Sequence, residues 1–307
     1  SFINCKFLKR HSKTILFLSW FLMLIPIMLN IETNSAYRWL KIGNFTIMTT
    51  SDFARISIII FTATFIDKYH QSINDIKILA IKLLPYLFVT IGLIIYQPDL
   101  STSIVTSMII FSLLYIAGLN NKIILGLLSS ALLFFVSIIP FFPHMYNRIK
   151  YWIYGLNNQS SNSILSLANG GFFGTGIGDS EFKYDNFIPE SQTDFVLAVI
   201  GEETGFLGII IIFILFGILF YKILEISKFS RDRFFMFLSI GITINIFLYL
   251  IINSAYVIGI LPTTGLPIPF ISYGGSQTIF SLLSIGILIN ISKMNLKDNR
   301  TRYYYGN

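Results

Sequence analysis

Eight apolar runs alternate with polar intervals along the 307 residues, at 13–30, 52–67, 78–96, 101–118, 121–140, 194–222, 233–258 and 270–292. A helix needs about 20 apolar residues to cross the hydrocarbon layer of a bilayer, and most of these runs meet that length. The run at 52–67 is short and opens with charge. The run at 194–222 is long enough to tilt, or to leave the membrane at its start. The pattern therefore predicts an all-α polytopic membrane protein with eight transmembrane helices, organised as one integral-membrane domain over 1–307. One polar interval, 141–193, is too long to be a mere connector.

Lysine and arginine set the orientation of these spans, because cytoplasmic loops carry the excess of both. One side holds Lys6, Lys9, Arg10 and Lys13, then Lys68, Lys77, Lys82 and Lys122. It continues with Lys222, Lys228, Arg231 and Arg233, and with Lys293, Lys297, Arg300 and Arg302. The opposite side holds only Arg38, Lys41, Arg148, Lys150 and Lys183, with Arg55 in the adjacent helix. The first side is predicted to be cytoplasmic, with both termini there, and 141–193 becomes a large extracytoplasmic loop. Acidic residues collect on the outer side, at Glu32, Asp52, Asp99, Asp179, Glu181, Asp185, Glu190 and Asp194.

Composition agrees: 54% of residues are hydrophobic and 12% charged, about half the charged fraction of soluble domains. The net charge of +7 follows the topology and does not mark a nucleic-acid partner. The single cysteine, Cys5, excludes an internal disulfide, and no His, Cys or acid spacing marks a metal site.

Candidate chemistry lies mainly on the outer face. In Ile188-Pro189-Glu190-Ser191-Gln192-Thr193-Asp194-Phe195, Asp194 stands where the long interval meets the next apolar run. Thr193-Asp194 reads as a helix N-cap, and Asp194 equally as a carboxylate at the membrane boundary able to act as a general base. Glu202 and Glu203 lie about two turns further in, where ionisable groups face a bundle interior or a wet cavity. They read either as members of a structural ion pair or as residues that handle substrate. Gly201 and Gly205 form a GxxxG pair, a close-packing face between helices. The glycines from Gly170 to Gly178 lack the Lys-Ser/Thr of a phosphate loop and read as a tightly turning segment. Asp99 follows Gln97-Pro98 and is placed to cap the next helix or to line a cavity mouth. Asp52 and Arg55, at i and i+3, are spaced to pair. Arg148 and Lys150 are either solvated or suited to hold a phosphate or pyrophosphate. Three prolines and three glycines between Leu261 and Ser276, a run that includes Ser272, Gly274 and Gly275, prevent a continuous helix. Such backbone at membrane depth must be buried in protein or line a cavity.

Four of these segments occur in order: Gln97-Pro98-Asp99-Leu100, Asn169 to Gly178, Ile188 to Glu203, and Leu261 to Ser276. Together they closely resemble the SEDS family, which comprises RodA, FtsW and SpoVE, with the FtsW-like division branch favoured. The resemblance implies a peptidoglycan glycosyltransferase in the bacterial inner membrane that polymerises lipid II at its outer face. A class B penicillin-binding protein is the implied partner, with other divisome or elongasome membrane proteins. The family's essential carboxylate falls on Asp194, implied to deprotonate the sugar hydroxyl of the acceptor lipid II. Arg148, Lys150 and Lys183 are candidates to stabilise the leaving undecaprenyl pyrophosphate. Glu190, Asp99, Glu202, Glu203, Ser272, Gly274 and Gly275 are candidates to line the substrate site. A divalent cation, magnesium or manganese, would share the work on the pyrophosphate.

The sequence departs from the family in three places. The family His before Thr-Asp is Gln192, and the family's Gln-Pro-Ser-Glu reads Thr49-Thr50-Ser51-Asp52. The family has ten spans, so the missing pair would precede Lys6, in keeping with Ser1 at the start in place of Met. Two alternatives remain open on the residues alone: a lipid II flippase or transporter, and a non-catalytic divisome scaffold.

Overall fold

The computed structural model describes residues 5–30, 36–42, 45–155, 158–181 and 191–305. Helices lie over all eight apolar runs: α2 (Ser12–Met28), α3 (Thr50–Tyr69), the pair α4 (Ile76–Lys82) and α5 (Leu84–Tyr96), α6 (Leu100–Ile116), α7 (Asn121–Ile138), α10 (Val196–Lys228), α11 (Arg233–Val257) and α12 (Gly275–Tyr305). A short helix α1 (Cys5–Arg10) precedes them. The architecture is that of an all-α polytopic membrane protein. By length and composition the segments Asn121–Phe141, Val196–Lys228, Arg233–Val257 and Gly275–Leu296 can each cross a bilayer, and α4 with α5 makes a fifth crossing if the bent pair is one span.

Several elements depart from the sequence pattern for identifiable reasons. The run at 78–96 is two helices bent by 43°. Pro85 lies in the first turn of α5, where it has no N–H to give and its ring obstructs the carbonyl four residues back. The outer interval 31–51 contains a two-stranded antiparallel hairpin, β1 (Trp39–Ile42) and β2 (Phe45–Thr49), with a register shift between Leu40 and Lys41. Two helices occupy the long interval: α8 (Pro143–Ile153) and α9 (Asn158–Gly170). The last helix starts at Gly275 and not at 270, and residues 261–274 are non-helical, as their prolines require.

The chain divides into two compact units. The first comprises Ser1–Phe134, Lys222–Asn245 and Ile279–Asn307; the second comprises Phe135–Tyr221 and Ile246–Thr278. In the first, Met23, Ala54 and Ile94 form a buried contact among α2, α3 and α5, with Trp20 and Leu93 packed on it. Gly241 lets α11 approach α3 and α6 closely, since a methyl there would meet Ile59 at 2.6 Å and Leu113 at 3.1 Å.

Polar contacts in this unit sort the helix ends into two groups. At one end Lys9 bridges Asp67 and Asp232, and Asn295 donates to the Ile226 carbonyl and to Ser230. At the other, Gln97 donates to the Met23 carbonyl at 2.8 Å and to Thr50 at 3.0 Å. Asp99 caps α6 through the Thr102 amide, accepts from Ser51 at 2.9 Å and lies 3.6 Å from Arg38. Asp52 and Arg55 pair at 3.0 Å, as their spacing predicts. The grouping is what alternating crossings require.

Burial differs sharply among the spans. In the most apolar window of each helix, 61% of residues are buried for Arg233–Val257, but 6% for Asn121–Phe141 and 11% for Val196–Lys228. Apolar surface left uncovered at that scale is suited to lipid.

Gln97 is fully buried, and its amide serves two acceptors that have no water to turn to. Gln97→Ala is expected to cost about 1–3 kcal/mol through the unpaired groups it leaves. Thermal unfolding in detergent measures this, and an unchanged midpoint would show that the network contributes nothing.

Candidate functional site

The second unit is organised around two interruptions of helix. The first is inside α10, where Gly205 has φ 68° and ψ −170° and breaks the helix. The GxxxG reading is therefore corrected at that position: Gly205 is a breakpoint, while Gly201 packs closely on Leu167 of α9. Breaking a helix frees backbone groups, and at membrane depth each needs a partner. The glycine-rich segment supplies them. Thr175 N donates to the Glu202 carbonyl at 2.9 Å, and Gly176 N to the Glu203 carbonyl at 3.1 Å. In return, Phe206 N donates to Gly171 O and Leu207 N to Phe172 O. A Cβ at Gly174 would overlap the Glu203 carbonyl, and one at Gly205 would overlap Gly174 N and Phe172 O. The two strands of chain thus touch backbone to backbone, and both glycines are needed for that approach.

Glu202 secures the same junction from its side chain. It is fully buried and accepts from Ser180 Oγ at 2.6 Å, Asn169 Nδ2 at 2.9 Å, Ser166 Oγ at 3.0 Å and the Glu181 amide at 3.2 Å. Among the described residues its hydrogen-bond partners are neutral donors, and the ion-pair alternative gives way to this cage. Four hydrogen bonds disperse its charge without the cost of burying a second ion. Glu203 is half-buried beside it.

The second interruption is the segment between α11 and α12. Its carbonyls, and those at the end of α11, are taken up by side chains from α8 and α9. Ser163 Oγ donates to Val257 O at 2.7 Å, Trp152 Nε1 to Gly259 O at 2.9 Å and Arg148 Nη1 to Thr263 O at 3.3 Å. Ser272 closes the turn from Ile268: its hydroxyl accepts from Ile268 N at 2.8 Å, and its amide donates to Ile268 O. That contact gives Ser272 a structural task. Gly275 opens α12 with no neighbour within reach of an added Cβ, and at Gly274 the nearest such atom belongs to Gln277. The backbone there is open to close approach.

Asp194 lies where these pieces meet. The helix α10 begins at Val196, and the Phe195 carbonyl accepts from Ala198 and Val199. By these helix bounds Asp194 stands one residue before Phe195, at the mouth of the helix. Its backbone carbonyl is fixed by two side chains of α11: Tyr256 Oη donates to it at 2.8 Å and Asn253 Nδ2 at 2.9 Å. The same two groups reach the Leu266 carbonyl, at 2.9 and 2.7 Å. Phe195 packs edge-on against the Tyr256 ring, with centroids 5.5 Å apart. Gly265, with φ 72°, completes the arrangement: a Cβ there would lie 3.3 Å from Asp194 Oδ2 and 3.8 Å from Arg148 Nη1. The glycine keeps clear a space that the carboxylate and the guanidinium both face.

Gln192, where the family carries His, is exposed, and its main-chain carbonyl accepts from Tyr273 N at 3.0 Å. Docking at this position uses the backbone, so the change of side chain leaves it intact. Lys150, two residues beyond Arg148, is exposed and on another face of α8, since i and i+2 do not face each other. Lys183 and Glu190 lie outside the described residues. Asp99 belongs to the first unit, where Ser51, the Thr102 amide and Arg38 engage its carboxylate. Sequence reasoning singled out neither Asn253 nor Tyr256. Their polar groups sit in an apolar run, and that is the signal that could have found them. Among the described residues no group of three His, Cys, Asp or Glu could hold a metal ion.

Comparison with known proteins bears on the family and the fold. The family described as Cell cycle protein, taking in FtsW, RodA and SpoVE, matches residues 1–297. A protein of Trichlorobacter lovleyi named probable peptidoglycan glycosyltransferase FtsW is 34% identical over 301 residues, covering 94% of this chain and 78% of that protein. Stage V sporulation protein E of Bacillus subtilis is 30% identical over 292 residues, covering 92% and 79%. Among solved structures, one described as a peptidoglycan synthase complex that coordinates polymerization and crosslinking shares the fold, with a TM-score of 0.77 and 22% identity over 96% of this chain and 84% of that one.

Gly205→Ala places a side chain in a left-handed conformation and against Gly174 and Phe172. The conformation, which only glycine readily adopts, alone costs about 1–3 kcal/mol, and the overlap adds to it. A lowered unfolding midpoint in detergent is expected; an unchanged one would show that the junction at Gly205 is not rigid.

Proposed function

This chain belongs to the FtsW, RodA and SpoVE family of cell cycle proteins, and from that premise we propose that it is a peptidoglycan glycosyltransferase of the FtsW-like branch, polymerising lipid II. The observation that carries the site assignment is Asp194 Oδ2 facing Arg148 across Gly265, on a backbone carbonyl held by Tyr256 and Asn253. A base and a cation side by side suit a reaction in which an alcohol loses a proton while a pyrophosphate departs.

The proposed step balances as follows. Asp194 takes the proton from the sugar hydroxyl of the acceptor lipid II. The hydroxyl oxygen forms a bond to the anomeric carbon of the growing strand. The bond from that carbon to undecaprenyl pyrophosphate breaks, and its electron pair leaves with the pyrophosphate. Arg148 lies beside the base, where its charge favours the departing anion. The described residues do not by themselves cage a divalent cation, because Asp194 has a guanidinium for a neighbour. Magnesium or manganese, where bound, would share with Arg148 the charge of the departing pyrophosphate. The open backbone at Gly274 and Gly275, the half-buried Glu203, and Lys150 on α8 are the remaining candidates to border the substrate.

The lysine and arginine excess supports eight crossings with residues near 9 and 295 on the cytoplasmic side of the bacterial inner membrane. The interval 141–193 then lies outside, where Tyr146, Tyr151 and Trp152 of α8 are exposed and suited to the interface. A class B penicillin-binding protein is the proposed partner, to crosslink the strands made here.

Polymerisation of lipid II by purified protein, with the partner transpeptidase present throughout, tests the assignment. Asp194→Ala and Asp194→Asn are expected to lose about a hundredfold or more in rate; wild-type rates in both would remove Asp194 from the role of base. Translocation of lipid II in liposomes without polymerisation would favour transport instead. Tyr256→Phe keeps the ring and removes one donor to the Asp194 carbonyl. The Tyr256 hydroxyl also reaches the Leu266 carbonyl, so the unfolding midpoint should fall by the equivalent of about 1–3 kcal/mol. Acting by position, the substitution should also lower kcat with KM unchanged in the protein that stays folded; an unchanged kcat beside the lowered midpoint would mark Tyr256 as structural only.

A further inference from the structure

Phe270 lies in the irregular segment between α11 and α12 with φ 69°. A bulky side chain takes that conformation only where its surroundings fix it. Here they do. The Phe270 ring packs on Phe216 of α10, with centroids 6.4 Å apart, and Ser272 ties the turn to Ile268 through both its hydroxyl and its amide. The next residue, Tyr273, is anchored by its amide to the Gln192 carbonyl at 3.0 Å. Tyr273 is nevertheless 78% exposed. Among the described residues its hydroxyl has no hydrogen bond and its ring no aromatic partner. A ring mounted on so closely fixed a turn, yet left out of the packing, is arranged for something outside the chain. Tyr146 and Tyr151 are exposed as well, but they lie on the regular helix α8, where the membrane interface accounts for them.

We propose that the Tyr273 ring is a stacking platform for a sugar of the acceptor lipid II. Gln192 and Asp194 are two residues apart, and extended chain spans at most about 7 Å over two residues. The Tyr273 peptide therefore lies close to the space that Asp194 and Arg148 face. Gly274 and Gly275 follow it without side chains, and the nearest atom to a Cβ added at Gly274 is Gln277 Cβ, at 3.7 Å. That flank is open to a flat ligand. The face of an aromatic ring carries negative charge, and the C–H bonds on one face of a pyranose carry the complementary positive charge. Such a contact leaves the sugar hydroxyls free, so it holds the acceptor without competing for the proton that Asp194 takes. The sugar is favoured over the isoprenoid carrier because the ring is tied to the strand that bears Asp194, where the reacting hydroxyl must come. The proposal deepens the polymerase reading and rests on it. Tyr273 binds the acceptor and takes no part in proton transfer.

The test combines binding with kinetics. Native mass spectrometry of the full chain in neutral detergent reads two ligands: lipid II whose acceptor hydroxyl is replaced by hydrogen, which alone cannot polymerise, and undecaprenyl pyrophosphate, which has the carrier and no sugar. Lipid II polymerisation with the partner transpeptidase present reads kcat and KM. Tyr273→Leu should weaken the lipid II analogue about fivefold, leave undecaprenyl pyrophosphate unchanged, and raise KM by a similar factor with kcat held. Tyr273→Phe should match wild type throughout. Neither substitution should move the unfolding midpoint without ligand, because the ring supports nothing in the chain. Loss in Tyr273→Phe equal to that in Tyr273→Leu would transfer the contact to the hydroxyl and overturn stacking. Equal weakening of both ligands by Tyr273→Leu would assign the ring to the carrier, and a lowered midpoint would make it structural; either overturns the proposal. Wild type that makes glycan, beside a Tyr273→Leu variant equal to it in binding and KM, would remove Tyr273 and leave the polymerase reading standing. Wild type that makes no glycan and binds the analogue no better than undecaprenyl pyrophosphate would overturn both.

Discussion

No backbone amide or carbonyl can be left without a partner at membrane depth, where water is absent and each orphan costs several kcal/mol. In the second unit this constraint dictates almost everything. Helix α10 breaks at Gly205, and the groups around the break are paired with the main chain of residues 171–176. The segment after α11 abandons helix, and its carbonyls are met one by one by Ser163, Trp152, Arg148, Tyr256 and Asn253. The donors are side chains drawn from several elements. Satisfying the backbone therefore also pins α8, α9 and α11 to one piece of irregular chain.

That pinning sets the chemistry. Asp194 precedes a helix start and would be mobile as an ordinary loop residue. Its carbonyl instead shares two donors with Leu266, across the segment that carries Gly265. The carboxylate is left to face Arg148. Preorganisation of this kind is what electrostatic stabilisation of a departing anion requires, because the groups need no rearrangement as charge develops. The first unit solves the same problem differently. It buries Gln97, Asp99, Ser51 and the Asp52–Arg55 pair in side-chain networks, and these hold α2, α3, α5 and α6 at one end.

Much of the fold was legible because its determinants are local. Length and hydropathy marked where the apolar helices lie, i and i+3 spacing gave the Asp52–Arg55 pair, and the turn at Gln97-Pro98 gave the Asp99 cap. Pro85 was the local signal for the bend between α4 and α5, but the run at 78–96 reads as a single span. Gly43-Asn44, between the alternating runs around it, is a hairpin signal that the surrounding apolar pattern masked. The break at Gly205 was not legible. A GxxxG pair reads the same whether it packs two intact helices or yields to a loop, and the deciding partners lie some thirty residues upstream. Asp194 could be placed from its motif, but its facing Arg148 across Gly265 and the roles of Asn253 and Tyr256 depend on contacts distant in sequence.

Gln192 holds Tyr273 through its carbonyl, and Asp194 is gripped through its carbonyl as well. The motif is thus anchored in a part of the residue that every amino acid shares. At Gln192 and Asp194 these main-chain bonds form whichever side chain is present, whereas Phe195 is held by its ring against Tyr256. At Gln192 a lineage is then free to retune the exposed surface by small genetic steps without giving up that contact.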